Sequence, residues 1–115
     1  MTLEPIPSLD SPVLKEIVRR TVEAAHPLKI YLFGSVARGE TGPDSDYDLM
    51  LVVPDDTPDE RCRGGPVYQA LVGLLPTAPV DIVVYRQSRF EALAAHVVAS
   101  LPATVLREGR LLHAQ

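Results

Sequence analysis

The stretch Phe33-Gly34-Ser35-Val36-Ala37-Arg38-Gly39-Glu40, followed after five residues by Asp46-Tyr47-Asp48, decides how this chain is interpreted. The Gly-Ser pair ends one apolar run, and the two aspartates open the next. Because side chains alternate faces along a strand, Asp46 and Asp48 should share a face. Two carboxylates on one face repel each other, and a divalent cation such as Mg²⁺, which favours hard oxygen ligands, would relieve that repulsion. The pattern therefore indicates a metal site beside a glycine turn that could cradle a phosphate.

Composition restricts the kind of protein. The chain has 115 residues, a net charge of -4 and a sequence pI near 5.2, so a general nucleic-acid-binding surface is not expected. Nine of its eleven basic residues are arginine, the side chain best shaped to bind phosphate. The single cysteine, Cys62, cannot form an internal disulfide, and the sequence shows neither a signal peptide nor a membrane-length apolar run. We expect one cytoplasmic domain over residues 1–115, with residues 1–10 as an irregular lead-in.

The periodicity of apolar residues predicts helices that alternate with strands. Such alternation is typical of an α/β fold in which a small mixed β-sheet is packed by helices. The first half is predicted as a helix from Pro12 to His26 with Ser11 as N-cap, a strand Leu28–Phe33, a helical turn 35–39, a loop 41–44 and a strand Asp46–Val53. The second half is predicted as a helix 66–75, a strand Pro79–Tyr85, a helix that begins with a capping box at Ser88–Glu91, a helical turn from Pro102 to Gly109 and a strand Arg110–His113. The helix that follows the capping box has an apolar stripe formed by Phe90, Leu93, Ala94, Val97, Val98 and Leu101.

A third acid strengthens the metal-site interpretation. Asp81 lies near the start of the third predicted strand, between Val80 and Ile82. Each feature alone has a simpler explanation: Ser35 could be an N-cap, and an aspartate at a strand start is often harmless. Three aspartates that converge at one end of a small sheet are harder to explain structurally. Arg38 could contact a phosphate or a partner, or it could be an ordinary solvated arginine.

Gly34-Ser35, a ten-residue gap and Asp46-x-Asp48 together resemble the signature of the DNA polymerase β-like nucleotidyltransferase superfamily. The wider pattern, Tyr31 to Glu40 with Ser45 to Leu49, is similar to the minimal nucleotidyltransferases, many of which are antitoxins of HEPN-domain toxins. The resemblance covers most of the chain, including the third acidic strand and the ending Leu106–Leu112. It implies the polymerase β-like core fold.

The resemblance also implies roles for the residues. Asp46, Asp48 and Asp81 would be the catalytic residues and would bind two Mg²⁺ ions, with Asp81 also helping to deprotonate the attacking hydroxyl. Gly34, Ser35 and Arg38 would form the nucleotide-binding part of the site, with Ser35 and nearby N–H groups on the β- and γ-phosphates of ATP. The expected reaction transfers AMP from ATP to a hydroxyl, expected to be a tyrosine, of a partner HEPN toxin, as in a type VII-like toxin–antitoxin pair.

Two alternatives stay open at the level of sequence. The protein could be a non-catalytic antitoxin that neutralises its partner by direct binding. It could also be a small-molecule nucleotidyltransferase that works as a homodimer with a shared acceptor pocket.

Overall fold

The computed structural model of the protein describes residues 11–39, 46–74 and 79–115. Within them the elements are α1 (Pro12–Ala25), β1 (Lys29–Phe33), α2 (Gly34–Ala37), β2 (Tyr47–Val53), α3 (Gly65–Ala70), β3 (Val80–Arg86), α4 (Gln87–His96), α5 (Leu101–Glu108) and β4 (Arg110–Ala114). The predictions for residues 1–10 and for Glu40 and the loop 41–44 lie outside the described residues.

The four strands form one mixed sheet in the order β3-β2-β1-β4. Strand β1 runs antiparallel to both β2 and β4, whereas β2 and β3 are parallel. Strand β2 is therefore an interior strand, as its apolar residues on both faces predict, and every residue of β2 except Asp48 is buried. The predicted mixed sheet packed by helices is confirmed.

Helices cover the sheet on both faces. One core cluster joins α1 and α3 to one face of the sheet, through residues such as Ile17, Leu71, Leu32 and Leu49. The second cluster lies on the other face, where Phe90 of α4 and Val105 of α5 pack against Tyr31, Met50 and Val52. Tyr31 and Phe90 stack with ring centroids 5.7 Å apart. Asp48 alternates with Tyr47 and Leu49 of the first cluster, so it lies on the second face of the sheet.

Helix α1 forms as its sequence predicts. The Ser11 hydroxyl accepts a hydrogen bond from the Val13 N–H at 3.1 Å, and Pro12 occupies the first turn, where no intrahelical N–H is needed. His26 ends the helix in the left-handed conformation with φ of 47°. No helix in the described ranges combines the length and apolarity needed to cross a membrane.

The predicted capping box at Ser88 is wrong. Helix α4 begins at Gln87, and the Ser88 N–H donates 2.9 Å to the Asp55 carboxylate instead, so an acid from the loop after β2 caps the helix. The predicted apolar stripe also fails beyond His96, because Val97 and Val98 lie outside the helix and are exposed.

The helix ends before Val97 because of Pro102 and Ser100. A proline within a continuous helix would clash with the carbonyl four residues earlier, so the chain starts a new helix instead. The Ser100 hydroxyl donates to Leu93 O at 3.0 Å and accepts from the Ala103 N–H at 3.2 Å, which joins the end of α4 to the start of α5. The predicted helical turn after Pro102 is thus a helix of eight residues, Leu101–Glu108.

Helix α3 is shorter than predicted. It begins at Gly65 and ends at Ala70, where the Leu71 N–H bonds to the carbonyls of both Val67 and Tyr68. Val72 and Gly73 follow, and both residue types have low helix propensity, which accounts for the early end.

Candidate active site

The three aspartates lie at the same end of the β2–β3 pair. Asp48 is the second residue of β2 and is directly opposite Asp81 in the parallel ladder, so the two side chains share a face. Asp46 immediately precedes β2, and the Tyr47 N–H donates to Pro79 O at 2.9 Å, which fixes the chain there against the start of β3. Asp48 is half-buried and Asp81 is exposed.

Gly34 brings the end of β1 against the Asp48 carboxylate. The strand register places Phe33 opposite Asp48, and Gly34 then turns with φ of 76°, a conformation that favours glycine. A Cβ added at Gly34 would collide with Asp48 Oδ2 and lie 3.1 Å from Asp48 Cγ. The glycine therefore allows both the turn and the close approach of the backbone to an acidic side chain.

Electrostatics set Asp48 apart from its neighbours. Burial raises the pKa of the Asp48 carboxyl above its usual range, and the charges of Asp81 and Asp46 raise that pKa further. The positive charge of Arg38 acts in the opposite direction and lowers the pKa. Two acids and one arginine thus act on Asp48 at this end of the sheet.

Ser35 and Arg38 both belong to the short helical segment after β1. Ser35 is half-buried in the first turn of α2, and the N-cap position belongs to Phe33, so Ser35 does not serve as the N-cap. Arg38 caps the other end of α2 and is exposed, and its charge acts on Asp48 as described above. Amide groups in a first helical turn lack intrahelical acceptors, so this turn can present N–H donors to an anion.

The donor set suits a divalent cation. The three residues offer carboxylate oxygens only, which is the chemistry that Mg²⁺ and Mn²⁺ prefer. Within residues 11–39, 46–74 and 79–115, however, no three His, Cys, Asp or Glu side chains are grouped closely enough to form a ready metal site. Asp48 and Asp81 nevertheless lie opposite each other in the parallel ladder, and a cation bound there would stabilise the two neighbouring negative charges.

One contact beside Asp81 has no counterpart in the sequence analysis. The Tyr68 hydroxyl accepts a hydrogen bond from the Ile82 backbone N–H at 2.8 Å. Tyr68 is separated from Ile82 by the end of α3 and the connection to β3, and neither residue belongs to the Gly-Ser or Asp-x-Asp pattern. The sequence feature related to this contact is the separation of Gly64 and Tyr68 by one helical turn.

Comparison with known proteins identifies the family of this chain. A sequence model described as "Nucleotidyltransferase domain" matches residues 13–111, a range that contains both the Gly-Ser turn and all three aspartates. A search of curated proteins finds no significant match.

Solved structures share the fold. The chain is similar to one in a crystal structure of a toxin–antitoxin with AMP-PNP, with a TM-score of 0.58 and 21% identity over 93% of this chain and 75% of that chain. A proposed nucleotidyltransferase from Sulfolobus solfataricus gives a TM-score of 0.58 and 21% identity over 90% of this chain and 78% of that chain. A chain of a toxin–antitoxin MntA–HpeT mutant with two Asp→Glu substitutions gives a TM-score of 0.55 and 22% identity over 88% of this chain and 73% of that chain. At these identities the likeness establishes the fold.

Proposed function

Since this chain belongs to the nucleotidyltransferase domain family, we propose that it is a Mg²⁺-dependent protein adenylyltransferase that transfers AMP from ATP to a tyrosine hydroxyl of a HEPN toxin. In this role it would be the antitoxin of a cytoplasmic toxin–antitoxin pair. Two of the similar structures are described as toxin–antitoxin complexes, and one of these contains the ATP analogue AMP-PNP. These descriptions support a toxin as the partner and an adenine nucleotide as the substrate.

The observation that carries the proposal is the alignment of Asp48 with Asp81 across the parallel ladder, with Asp46 immediately before β2 and the Gly34 backbone against Asp48. Carboxylates from two adjacent strands are thereby combined with a glycine turn that can approach a phosphate. A nucleoside triphosphate with its metal ions needs both features.

The reaction divides among the residues as follows. The acceptor oxygen attacks the α-phosphorus of ATP, the bond from that phosphorus to the bridging oxygen breaks, and pyrophosphate leaves. Asp81 accepts the proton of the attacking hydroxyl, and its exposure leaves it accessible to a protein acceptor. Ser35 and the amides of its turn orient the β- and γ-phosphates, and Arg38 offsets negative charge near Asp48.

Asp46, Asp48 and Asp81 would hold the two Mg²⁺ ions. When bound, the metal neutralises charge on the attacking and leaving oxygens of the in-line displacement. Asp48 is held within β2, and Asp46 immediately precedes that strand, where the Tyr47 N–H donates to Pro79 O.

The test is a transfer assay with the purified toxin partner, ATP and Mg²⁺, with the mass of the intact partner as the readout. The partner should gain one or more AMP units, and Asp46→Asn or Asp48→Asn should abolish the gain. Asp56→Asn is the matched control, because it makes the same chemical change in the exposed turn after β2. Labelling that survives in both site variants would refute the proposed site.

A further inference from the structure

Asp81 belongs to a strand that the sheet supports on one side only. Strand β3 is at the edge of the sheet and pairs with β2 alone among the described strands. Alternate peptide units of such a strand point away from the ladder, where no neighbouring strand can hold them. A metal ligand on this strand therefore needs additional support if its carboxylate is to stay level with Asp48.

Tyr68 supplies a contact at that position. Its hydroxyl accepts the Ile82 N–H at 2.8 Å, and that N–H belongs to the peptide unit that links Asp81 to Ile82. The contact comes from α3, which packs on the sheet face opposite the aspartates. It therefore holds the backbone beside Asp81 without entering the space that substrate would occupy.

The Tyr68 ring is itself held in place. Its backbone N–H bonds to Gly64 O at 2.9 Å, which sets the ring over Gly64 one helical turn earlier. A Cβ added at Gly64 would lie 2.8 Å from Tyr68 Cε2 and 3.2 Å from Cδ2, so the ring occupies space that only glycine leaves free. The hydroxyl thus has a defined position from which to bind β3.

We propose that Tyr68 is a positioning residue for Asp81, because its hydroxyl fixes the Asp81–Ile82 peptide unit at the sheet edge and thereby keeps the Asp81 carboxylate in register with Asp48. The inference rests on the proposed function, in which Asp81 is a metal ligand. Partners that orient a metal ligand typically change metal affinity or activity by about 10- to 100-fold when they are removed. Binding constellations need their ligands held within about 0.5 Å of the productive geometry.

The experiment uses Tyr68→Phe, which removes the hydroxyl and keeps the ring. Tyr85→Phe is the matched control, since Tyr85 lies on the same strand near its other end. Binding of Mn²⁺ alone is measured by titration calorimetry for the wild type, both Tyr→Phe variants, Asp81→Asn and the double variant Tyr68→Phe/Asp81→Asn. Hydrogen exchange of the Ile82 amide reports the contact itself, and Gly64→Ala, which displaces the ring, gives a second route to the same effect.

We expect Tyr68→Phe to speed hydrogen exchange of the Ile82 amide and to weaken Mn²⁺ binding about 10-fold. Gly64→Ala should change both measurements in the same direction. Tyr85→Phe should change neither of them. In the Asp81→Asn background, Tyr68→Phe should cause no further loss, because the two changes act through one ligand. Mn²⁺ binding lowered by Asp81→Asn but unchanged by Tyr68→Phe would overturn this inference alone. Binding unchanged by Asp81→Asn would overturn the metal role of Asp81, and this inference with it.

Discussion

Asp48→Asn should stabilise the protein without metal and destabilise it relative to the wild type with metal. The Asp48 carboxyl is partly buried, lies opposite Asp81 and is two residues from Asp46, and these three effects raise its pKa. An acid whose native pKa lies above its unfolded value, about 3.9 for aspartate, binds its proton more tightly in the folded state. Stability is therefore greatest below that value, falls as pH rises towards the native pKa, and stays constant beyond it.

The magnitude follows from the geometry of the ladder. Favourable cross-strand pairs contribute about 0.2–1 kcal/mol and like charges directly opposite are destabilising, so we take the repulsion between Asp48 and Asp81 to be of similar size, partly offset by the positive charge of Arg38. We expect Asp48→Asn to raise the free energy of unfolding at pH 7 by about 0.5–1 kcal/mol, which corresponds to about 2–4 °C in Tm for a domain of this size. Asparagine has nearly the same shape, so packing should change little.

The assay is urea unfolding of the wild type and Asp48→Asn in EDTA at several pH values, repeated in excess Mn²⁺. In EDTA the variant should be more stable at pH 7, and the difference should vanish below about pH 3, where the Asp48 carboxyl is protonated in both the folded and the unfolded state. In Mn²⁺ the order should reverse, because the wild type gains more stability by binding the ion. An Asp48→Asn variant that is less stable than the wild type in EDTA at pH 7 would refute this account of the charges.

Two further predictions concern other parts of the chain. Gly34→Ala should lower the free energy of unfolding, measured in urea, by about 1–3 kcal/mol and should abolish transfer, because Gly34 has a positive φ and a Cβ there would collide with the Asp48 carboxylate. Gly39→Ala is the control, since Gly39 also has a positive φ but has open space around it, and it should lower the free energy of unfolding less. Equal decreases in the two variants would contradict the argument. Hydrogen bonds from Arg19 and then Arg20 lower the pKa of Glu16 to about 2. The free energy of unfolding of the wild type should therefore fall as the pH decreases from about 4.3 towards 2. Glu16→Gln should remove that part of the acid sensitivity.

Much of the fold could be predicted because its signals are local. The N-cap at Ser11 and the left-handed stop at His26 bound α1 as the residue types predict, and the apolar run after Asp48 identifies an interior strand. The Asp46-x-Asp48 motif is also local, but the predicted strand Asp46–Val53 begins one residue later, so β2 includes Asp48 and not Asp46. The shared end of the sheet then follows from the parallel pairing of β2 with β3.

The errors and omissions come from contacts distant in sequence. Ser88 has the residue type of a helix cap, but the N-cap position belongs to Arg86, and Asp55, thirty-three residues before Ser88, accepts the Ser88 N–H. Ser100 carries the same kind of signal and does cap a helix, since Pro102 forces a new start there. The Tyr68 contact with Ile82 depends on how α3 lies beside the sheet edge, which no periodicity reports.

The most direct test of nucleotidyl transfer is a turnover experiment with ATP labelled at either the α- or the γ-phosphate. A small substoichiometric amount of the protein is incubated with Mg²⁺ and an excess of the purified toxin partner, next to a triple variant in which Asp46, Asp48 and Asp81 are all Asn. We predict that α-label enters most of the partner, that γ-label does not, and that the triple variant transfers nothing. Neutralisation of the partner without label, at a stoichiometric ratio and equally by the triple variant, would contradict enzymatic transfer and show inhibition by contact.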